Sequence, residues 1–171
     1  MEKAALANEI YKTSHLAGRF TLRSGKVSNE YFDKYLFESN PTLLSEIAEH
    51  LSKLIPQGTE ILAGLEMGGI PIATALSLKT GIPVVFVRKK AKEYGTRKLA
   101  EGAEIQGKNV CIVEDVVTTG GQILLSSDDL KAYGGRVKNV LCVIEREPSG
   151  RDNLESAGLQ MFSLFTMDDL R

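Results

Sequence analysis

Val110-Cys111-Ile112-Val113-Glu114-Asp115-Val116-Val117-Thr118-Thr119-Gly120-Gly121-Gln122 is the stretch on which the fold turns. It opens as an apolar strand, Val110 to Val113, and runs into two adjacent carboxylates. A turn of hydroxyls and glycines follows, then a helical stretch from about 120 to 132. The strand is continuously apolar rather than alternating, which is the pattern of a strand covered on both faces.

The same grammar repeats on either side. Towards the C-terminus, Gly134-Gly135 ends the helix, Val137 to Ile144 is a second long apolar strand, and Leu159 to Leu164 is a last one. Towards the N-terminus, Val84 to Val87 and Ile61 to Ala63 are strands, with a helix over Ile70 to Lys79 between them. Asn40-Pro41 opens an earlier helix, Asn as cap and Pro at the first helical position. Leu43, Leu44, Ile47, Ala48, Leu51 and Leu54 give it an apolar stripe, and Gly58 lies past its end. Buried strands alternating with helices predict an α/β domain with a doubly wound parallel sheet. Ahead of it, residues 3 to 13 read as a helix. Phe20-Thr21-Leu22 and Tyr31-Phe32-Asp33 read as short strands around the turn Ser24-Gly25-Lys26.

Length and charge narrow the function. The chain has 171 residues, the size of one domain, with no internal repeat. Lys and Arg number 21 against 22 Asp and Glu, a net charge of -1, which speaks against nucleic-acid binding by bulk charge. No apolar run approaches the length of a membrane span, and Met1-Glu2-Lys3 is unlike a signal peptide, so a cytoplasmic protein is expected. Cys111 and Cys142 each lie inside an apolar strand and read as buried thiols of a reducing compartment. His15 and His50 fall outside every chemistry-bearing segment, and histidine acid/base catalysis is not inferred.

Residues 88 to 104 follow neither periodicity. Arg88, Lys89, Lys90, Lys92, Arg97 and Lys98 face a single acid, Glu93, so residues 88 to 98 carry +5 and the rest of the chain about -6. Such a run is either a solvated charge patch or a functional lid. Its place directly after a core strand, at the end where α/β sheets bind ligands, favours the lid.

The quoted stretch has the makings of an anion site. A strand end feeding a helix N-terminus presents unpaired N–H groups, Gly120 and Gly121 allow close backbone approach, and Thr118 and Thr119 add hydroxyls. Glu114 and Asp115 repel phosphate, so they face something else, such as sugar hydroxyls, or they cap the following helix. The spacing is neither that of the Walker A loop nor Gly-x-Gly-x-x-Gly. No metal-ligand cluster is visible in the sequence.

This segment resembles the phosphoribosyl pyrophosphate (PRPP) signature of the type I phosphoribosyltransferases. The resemblance extends along most of the chain and narrows to the orotate branch of that family. Phe20 to Lys26 with Ser28, then Tyr31-Phe32-Asp33, is similar to its base-covering segment. Gly64-Leu65-Glu66-Met67-Gly68-Gly69-Ile70-Pro71 is similar to its pyrophosphate loop, and Arg88 to Gly95 to its flexible catalytic loop. The resemblance implies one domain, with residues up to about 40 forming an N-terminal helix and hood and residues from about 41 to 171 the core. It implies Mg²⁺-dependent transfer of 5-phosphoribosyl from PRPP to orotate, the Mg²⁺ being carried by substrate phosphates and not by a protein cage. Glu114 and Asp115 would hold the ribose hydroxyls, and Val116, Val117 and Thr118 to Gln122 the 5'-phosphate. Arg88, Lys89, Lys92 and Tyr94 would meet the pyrophosphate from the lid, and Glu66, Met67, Gly68 and Gly69 from the loop. Lys89, Lys92, Glu114 and Asp115 would be catalytic, while Arg23, Lys26, Thr118 and Arg146 would bind orotate. A homodimer sharing its lid across subunits is also implied, with no nucleic-acid or membrane partner.

The sequence departs from the family pattern at four places. Tyr94 stands where His is usual, Met67-Gly68 where some members have Tyr-Lys, Glu145 where Asp is common, and the chain stops at Arg171 soon after Phe165-Thr166-Met167-Asp168-Asp169-Leu170. Transfer to another nucleobase and non-enzymatic PRPP sensing are the competing readings. Three cations for the base favour one with a carboxylate.

Overall fold

Six strands form the central sheet of the computed structural model, which describes residues 1–171. In chain order the elements are α1 (Lys3–Ser14), β1 (His15–Thr21), β2 (Val27–Phe32), α2 (Lys34–Glu38), α3 (Pro41–Ser52), β3 (Ile61–Leu65), α4 (Gly69–Thr80) and β4 (Val84–Val87). There follow β5 (Ala100–Gly102), β6 (Asn109–Val117), α5 (Gly121–Ala132), β7 (Arg136–Glu145), α6 (Pro148–Ser156), β8 (Gln160–Thr166) and α7 (Met167–Leu170). The sheet order is β5-β4-β3-β6-β7-β8. All neighbours are parallel except the edge strand β5, which runs antiparallel to β4.

The sheet separates two apolar layers. On one face Leu62, Cys111, Val113, Leu141 and Val143 pack with Leu6 and Ile10 of α1, Ile47 and Leu51 of α3, and Ile72 and Leu76 of α4. On the other, Ala63, Ile112, Val140 and Cys142 pack with Ile123 and Leu130 of α5 and Leu154 of α6. Strand alternation thus sends the two cysteines to opposite faces, and neither is in a disulfide. Burial pushes both thiols up, Cys111 to about 12, so they behave as small apolar side chains.

Local chemistry explains the boundaries that matter. The Asn40 side chain accepts from the N–H groups of Thr42 and Leu43 and starts α3. At the other end of α4, Gly81 takes the left-handed conformation at φ 77°. β1 and β2 form a separate antiparallel ribbon, irregular between Ala17 and Phe20. α1 and α2 contribute Leu6, Ile10 and Phe37 to the layer that also holds α3 and α4.

Several sequence expectations are corrected. The strand expected to end at Val113 continues to Val117, because its pairing with β7 persists to Val117 opposite Glu145. Glu114 and Asp115 are therefore strand residues, and α5 begins at Gly121 behind a Gly120 cap with no side-chain acceptor. That removes the helix-capping reading of the acids. The irregular segment expected over 88 to 104 contains β5. The ribbon strands begin earlier than Phe20 and Tyr31, at His15 and Val27, and Asp33 caps α2 through the N–H of Tyr35 instead of extending the strand. Helices α2 and α7 are too short, and α6 too poor in apolar residues, to announce themselves.

Candidate active site

A cleft of about 330 Å³ opens at the carboxyl end of β6, lined by Arg23, Lys89, Glu114 and every residue from Val116 to Ile123. Its floor is the turn from Thr118 to Gly121. Gly120 has φ 79°, which an L side chain rarely adopts, and this bend turns the first N–H groups of α5 into the cleft. Those amides lack side-chain caps, so the helix start is an open anion seat. The turn is braced from behind by α6. A Cβ on Gly150 would lie 2.3 Å from the Thr118 carbonyl oxygen, and Asn153 donates to the Thr119 carbonyl at 2.9 Å. The Arg146 N–H donates to the Val117 carbonyl at 2.9 Å.

Glu114 and Asp115 are neighbours on β6 whose carboxyl groups meet, yet their environments separate them. Glu114 is half-buried and lines the cleft. Asp115 is fully buried and is not among the residues that line it. Its Oδ1 accepts from the Val116 N–H at 2.6 Å, and its Oδ2 lies 2.8 Å from Lys34 Nζ. Gly68 is pressed against it, since a Cβ there would sit 1.8 Å from Asp115 Oδ2. Glu38, buried on α2, reaches the same carboxylate. Burial pushes Glu114 up to about 9 and Glu38 to about 10, reinforced in both by the Asp115 charge. Burial opposes ionisation of Asp115 too, but bonds to Glu38 and Lys34 outweigh it and hold its carboxyl below the usual range. Of three converging acids, Asp115 carries the charge.

The lid cations are divided. Lys89 reaches the cleft, and its backbone N–H donates to Glu66 Oε1 in the β3–α4 loop. Lys92 instead donates to Glu101 Oε2 on β5 at 2.8 Å, with Arg88 3.8 Å from the same oxygen. Tyr94 is 71% exposed beside Lys92, and Met67 is 62% exposed at the loop tip. Gly69 sits so close to β6 that a Cβ would meet the Val113 carbonyl at 2.4 Å.

The base-binding candidates are also split. Arg23 lines the main cleft, whereas Arg146 lines a neighbouring one with Ser28, Tyr31 and Phe32 of the ribbon. Lys26 is exposed at the ribbon turn. Glu145 accepts from the Arg151 guanidinium at 2.7 Å and from Ser163 at 3.1 Å, fixing the end of β7 beneath Arg146. Hydrogen bonding from Arg151 holds its carboxyl below the usual range. Lys34, Glu38, Glu101, Gly150, Arg151 and Asn153 were not found from sequence. Each lies in a short or polar element and acts through contacts that no local pattern reveals.

Comparison with known proteins agrees with this geometry. Residues 37–164 match the phosphoribosyl transferase domain family. An orotate phosphoribosyltransferase of Nocardioides sp. is 49% identical over 98% of this chain and 93% of its own length. The structure superposes on Mycobacterium tuberculosis orotate phosphoribosyltransferase in complex with Fe(III) dicitrate with a TM-score of 0.89, at 32% identity and 98% coverage of both chains. The same enzyme in complex with PRPP gives 0.84 at 29% identity, also covering 98% of both. A strand-to-helix turn open to phosphate, a carboxylate beside it and this likeness along nearly the whole chain place the protein in the orotate phosphoribosyltransferase family.

Proposed function

We propose that this chain transfers the 5-phosphoribosyl group of PRPP to N1 of orotate, giving orotidine 5'-phosphate and pyrophosphate. The observation that carries the reading is the single cleft that gathers an uncapped helix start, the hydroxyls of Thr118 and Thr119, Glu114 and the basic Arg23 and Lys89. The 5'-phosphate seats on the amides of Thr119 to Gln122. Glu114, neutral in the empty cleft, both donates to and accepts from ribose hydroxyls, with ionised Asp115 directly behind it. As the bond from the anomeric carbon to pyrophosphate breaks, the sugar gains positive and the leaving group negative charge. Cations at the pyrophosphate are then worth more in the transition state than in the ground state. Lys89 already lines the cleft of its own chain, and closure of the lid releases Arg88 and Lys92 from Glu101 to reach the cleft of the neighbouring subunit while excluding water. Arg23, Lys26, Thr118 and Arg146 receive the orotate carboxylate and ring.

Mg²⁺ suits this donor set as an ion carried by the substrate. The cleft offers Glu114 and hydroxyl oxygens, and Mg²⁺ favours phosphate oxygens and water. When bound, it neutralises pyrophosphate charge. The reading includes one phosphoribosyltransferase domain with the β1–β2 ribbon as hood, acting in the cytoplasm. It also includes a homodimer in which each lid serves the neighbouring cleft. Pairing of Arg88 and Lys92 with Glu101, away from their own cleft, supports the last point. No helix is long and apolar enough to cross a membrane.

The test is one assay. Purified protein with Mg²⁺ and PRPP is offered orotate, uracil, adenine, guanine and hypoxanthine in turn, and pyrophosphate release is measured. Release with orotate alone is expected; release with a purine, or with no base, overturns the assignment.

A further inference from the structure

We infer that Lys34 and Glu38, both on α2, are positioning residues for the acid pair of β6, locking the Asp115 carboxylate from the hood side so that Glu114 is left to the sugar. The inference rests on the proposed phosphoribosyl transfer for its kinetic consequence, but the lock itself is visible in the geometry. Lys34 Nζ is 2.8 Å from Asp115 Oδ2, and Asp115 has no exposed surface. Neither Glu38 oxygen has a donor, although the residue is only 5% exposed and lies against Asp115. Two buried acceptors facing each other are satisfied only by a proton between them. Glu38 is therefore the protonated partner, donating to Asp115, and Lys34 supplies the compensating charge. A buried group of three carboxyls and one ammonium is neutral when only Asp115 is ionised.

The arrangement also explains Gly68. Any side chain there would displace the Asp115 carboxylate, so the β3–α4 loop meets it with bare backbone, and the ammonium comes from α2 instead. Because α2 follows the β1–β2 ribbon through the single residue Asp33, the ribbon and the acid pair are joined by one short rigid segment. Lys34 is further held over the Tyr35 ring, 5.2 Å from its centroid.

The test combines a double-mutant cycle with a conservative rescue. Steady-state kinetics are measured with PRPP and orotate varied separately for the natural protein, Lys34→Met, Asp115→Asn and the double variant, and then for Glu38→Gln and Glu38→Leu. Lys34→Met should raise KM for PRPP at least tenfold while KM for orotate changes less than twofold. In the Asp115→Asn background the same change should add less than twofold. Glu38→Gln, which keeps a donor, should stay within threefold of the natural protein, and Glu38→Leu should repeat the Lys34→Met defect. Independent multiplication of the Lys34 and Asp115 effects, an equal rise in KM for both substrates, or equal damage from Glu38→Gln and Glu38→Leu would each overturn the lock. If Lys34→Met does not fold, the Glu38 pair decides alone. Thermal melting of the same proteins separates the lock from the reaction. A double variant that melts above Lys34→Met supports the lock even in a protein that fails to bind PRPP, and one that melts no higher refutes it.

Discussion

Two segments of this molecule carry the proposed phosphate contacts, and they are made of opposite materials. The turn from Val117 to Gln122 offers backbone amides and hydroxyls and has no basic side chain. It is clamped on one side by the pairing of β6 with β7 and on the other by Gly150 and Asn153 of α6. The lid from Arg88 to Leu99 offers six side-chain cations on an exposed loop with few backbone bonds, and two of those cations are paired with Glu101. A group that stays attached to the sugar through the reaction suits fixed dipoles, which need no reorganisation. A group that leaves suits cations that arrive and depart with it. The difference can be broken by changes that should hurt one segment and spare the other.

The largest effect is expected from Gly150→Ala. Its Cβ would lie 2.3 Å from the Thr118 carbonyl and 2.9 Å from Val117 Cγ1, so the turn must move. PRPP affinity should fall at least 100-fold, about 2.7 kcal/mol. The overpacking should lower stability by about 1–3 kcal/mol as well. Calorimetry with PRPP and a thermal melt read both losses; a normal affinity would mean that the turn does not bind the sugar phosphate.

Lys89→Ala and Lys92→Ala should act in the complementary way. Each should reduce kcat by about 30- to 1000-fold, or about 2–4 kcal/mol, with PRPP affinity changed only a few-fold and melting temperature unchanged. Equal losses in affinity and turnover would make the lid a ground-state binder, erasing its contrast with the turn.

A third prediction concerns what lies beneath the fixed segment. Glu38 and Glu114 are raised to about 10 and about 9 from an ordinary 4.5. Their contribution to stability is therefore fully present below about pH 4.5 and is lost as pH rises through 9 to 10. Asp115, whose carboxyl is lowered, acts only at acid pH and does not enter this window. The natural protein should melt at least about 3 °C lower at pH 9 than at pH 6. Glu38→Gln should at least halve that drop. An unchanged slope would place an ionised carboxylate on α2 and remove the acid–carboxylate pair.

The contrast between the segments also explains what was legible in the sequence. The fixed segment was readable because its pattern is local. Strand, acids, hydroxyls and glycines are consecutive, and the cleft gathers Glu114 and Val116 to Gln122 as that order implies. The long parallel strands were readable for the same reason, each being an unbroken apolar run. What escaped depends on distant partners. Asp115 looked like Glu114's equal because nothing adjacent in the chain reveals the ammonium of Lys34, brought to it by α2. The strand seemed to stop at the acids because carboxylates are poor strand residues, yet β7 pairing carries it four residues further. β5 is Ala100-Glu101-Gly102, too short and polar to show a period, and it hides Glu101, the residue that holds the lid cations. Helix α6 has Leu154 as its one large apolar residue, so the brace behind the turn was invisible.

The smallest effect sharpens the lid's side of the comparison. Glu101 accepts from Lys92 and faces Arg88, and its carboxyl is held below the usual range chiefly by the Lys92 bond. It occupies both cations while pyrophosphate is absent. Glu101→Gln keeps the size of the side chain and removes its charge, so closure no longer has to break an ion pair. Because the pair lies near the surface, solvent screens it and its contribution is small. KM for PRPP should accordingly fall about two- to fivefold, with melting temperature unchanged. The fall should shrink as salt rises, since screening already weakens the natural pair. An increase in KM would mean instead that Glu101 aims the cations at the substrate. The lid would then be a preformed binding surface like the turn, and the two segments would differ in composition but not in the timing of their contacts.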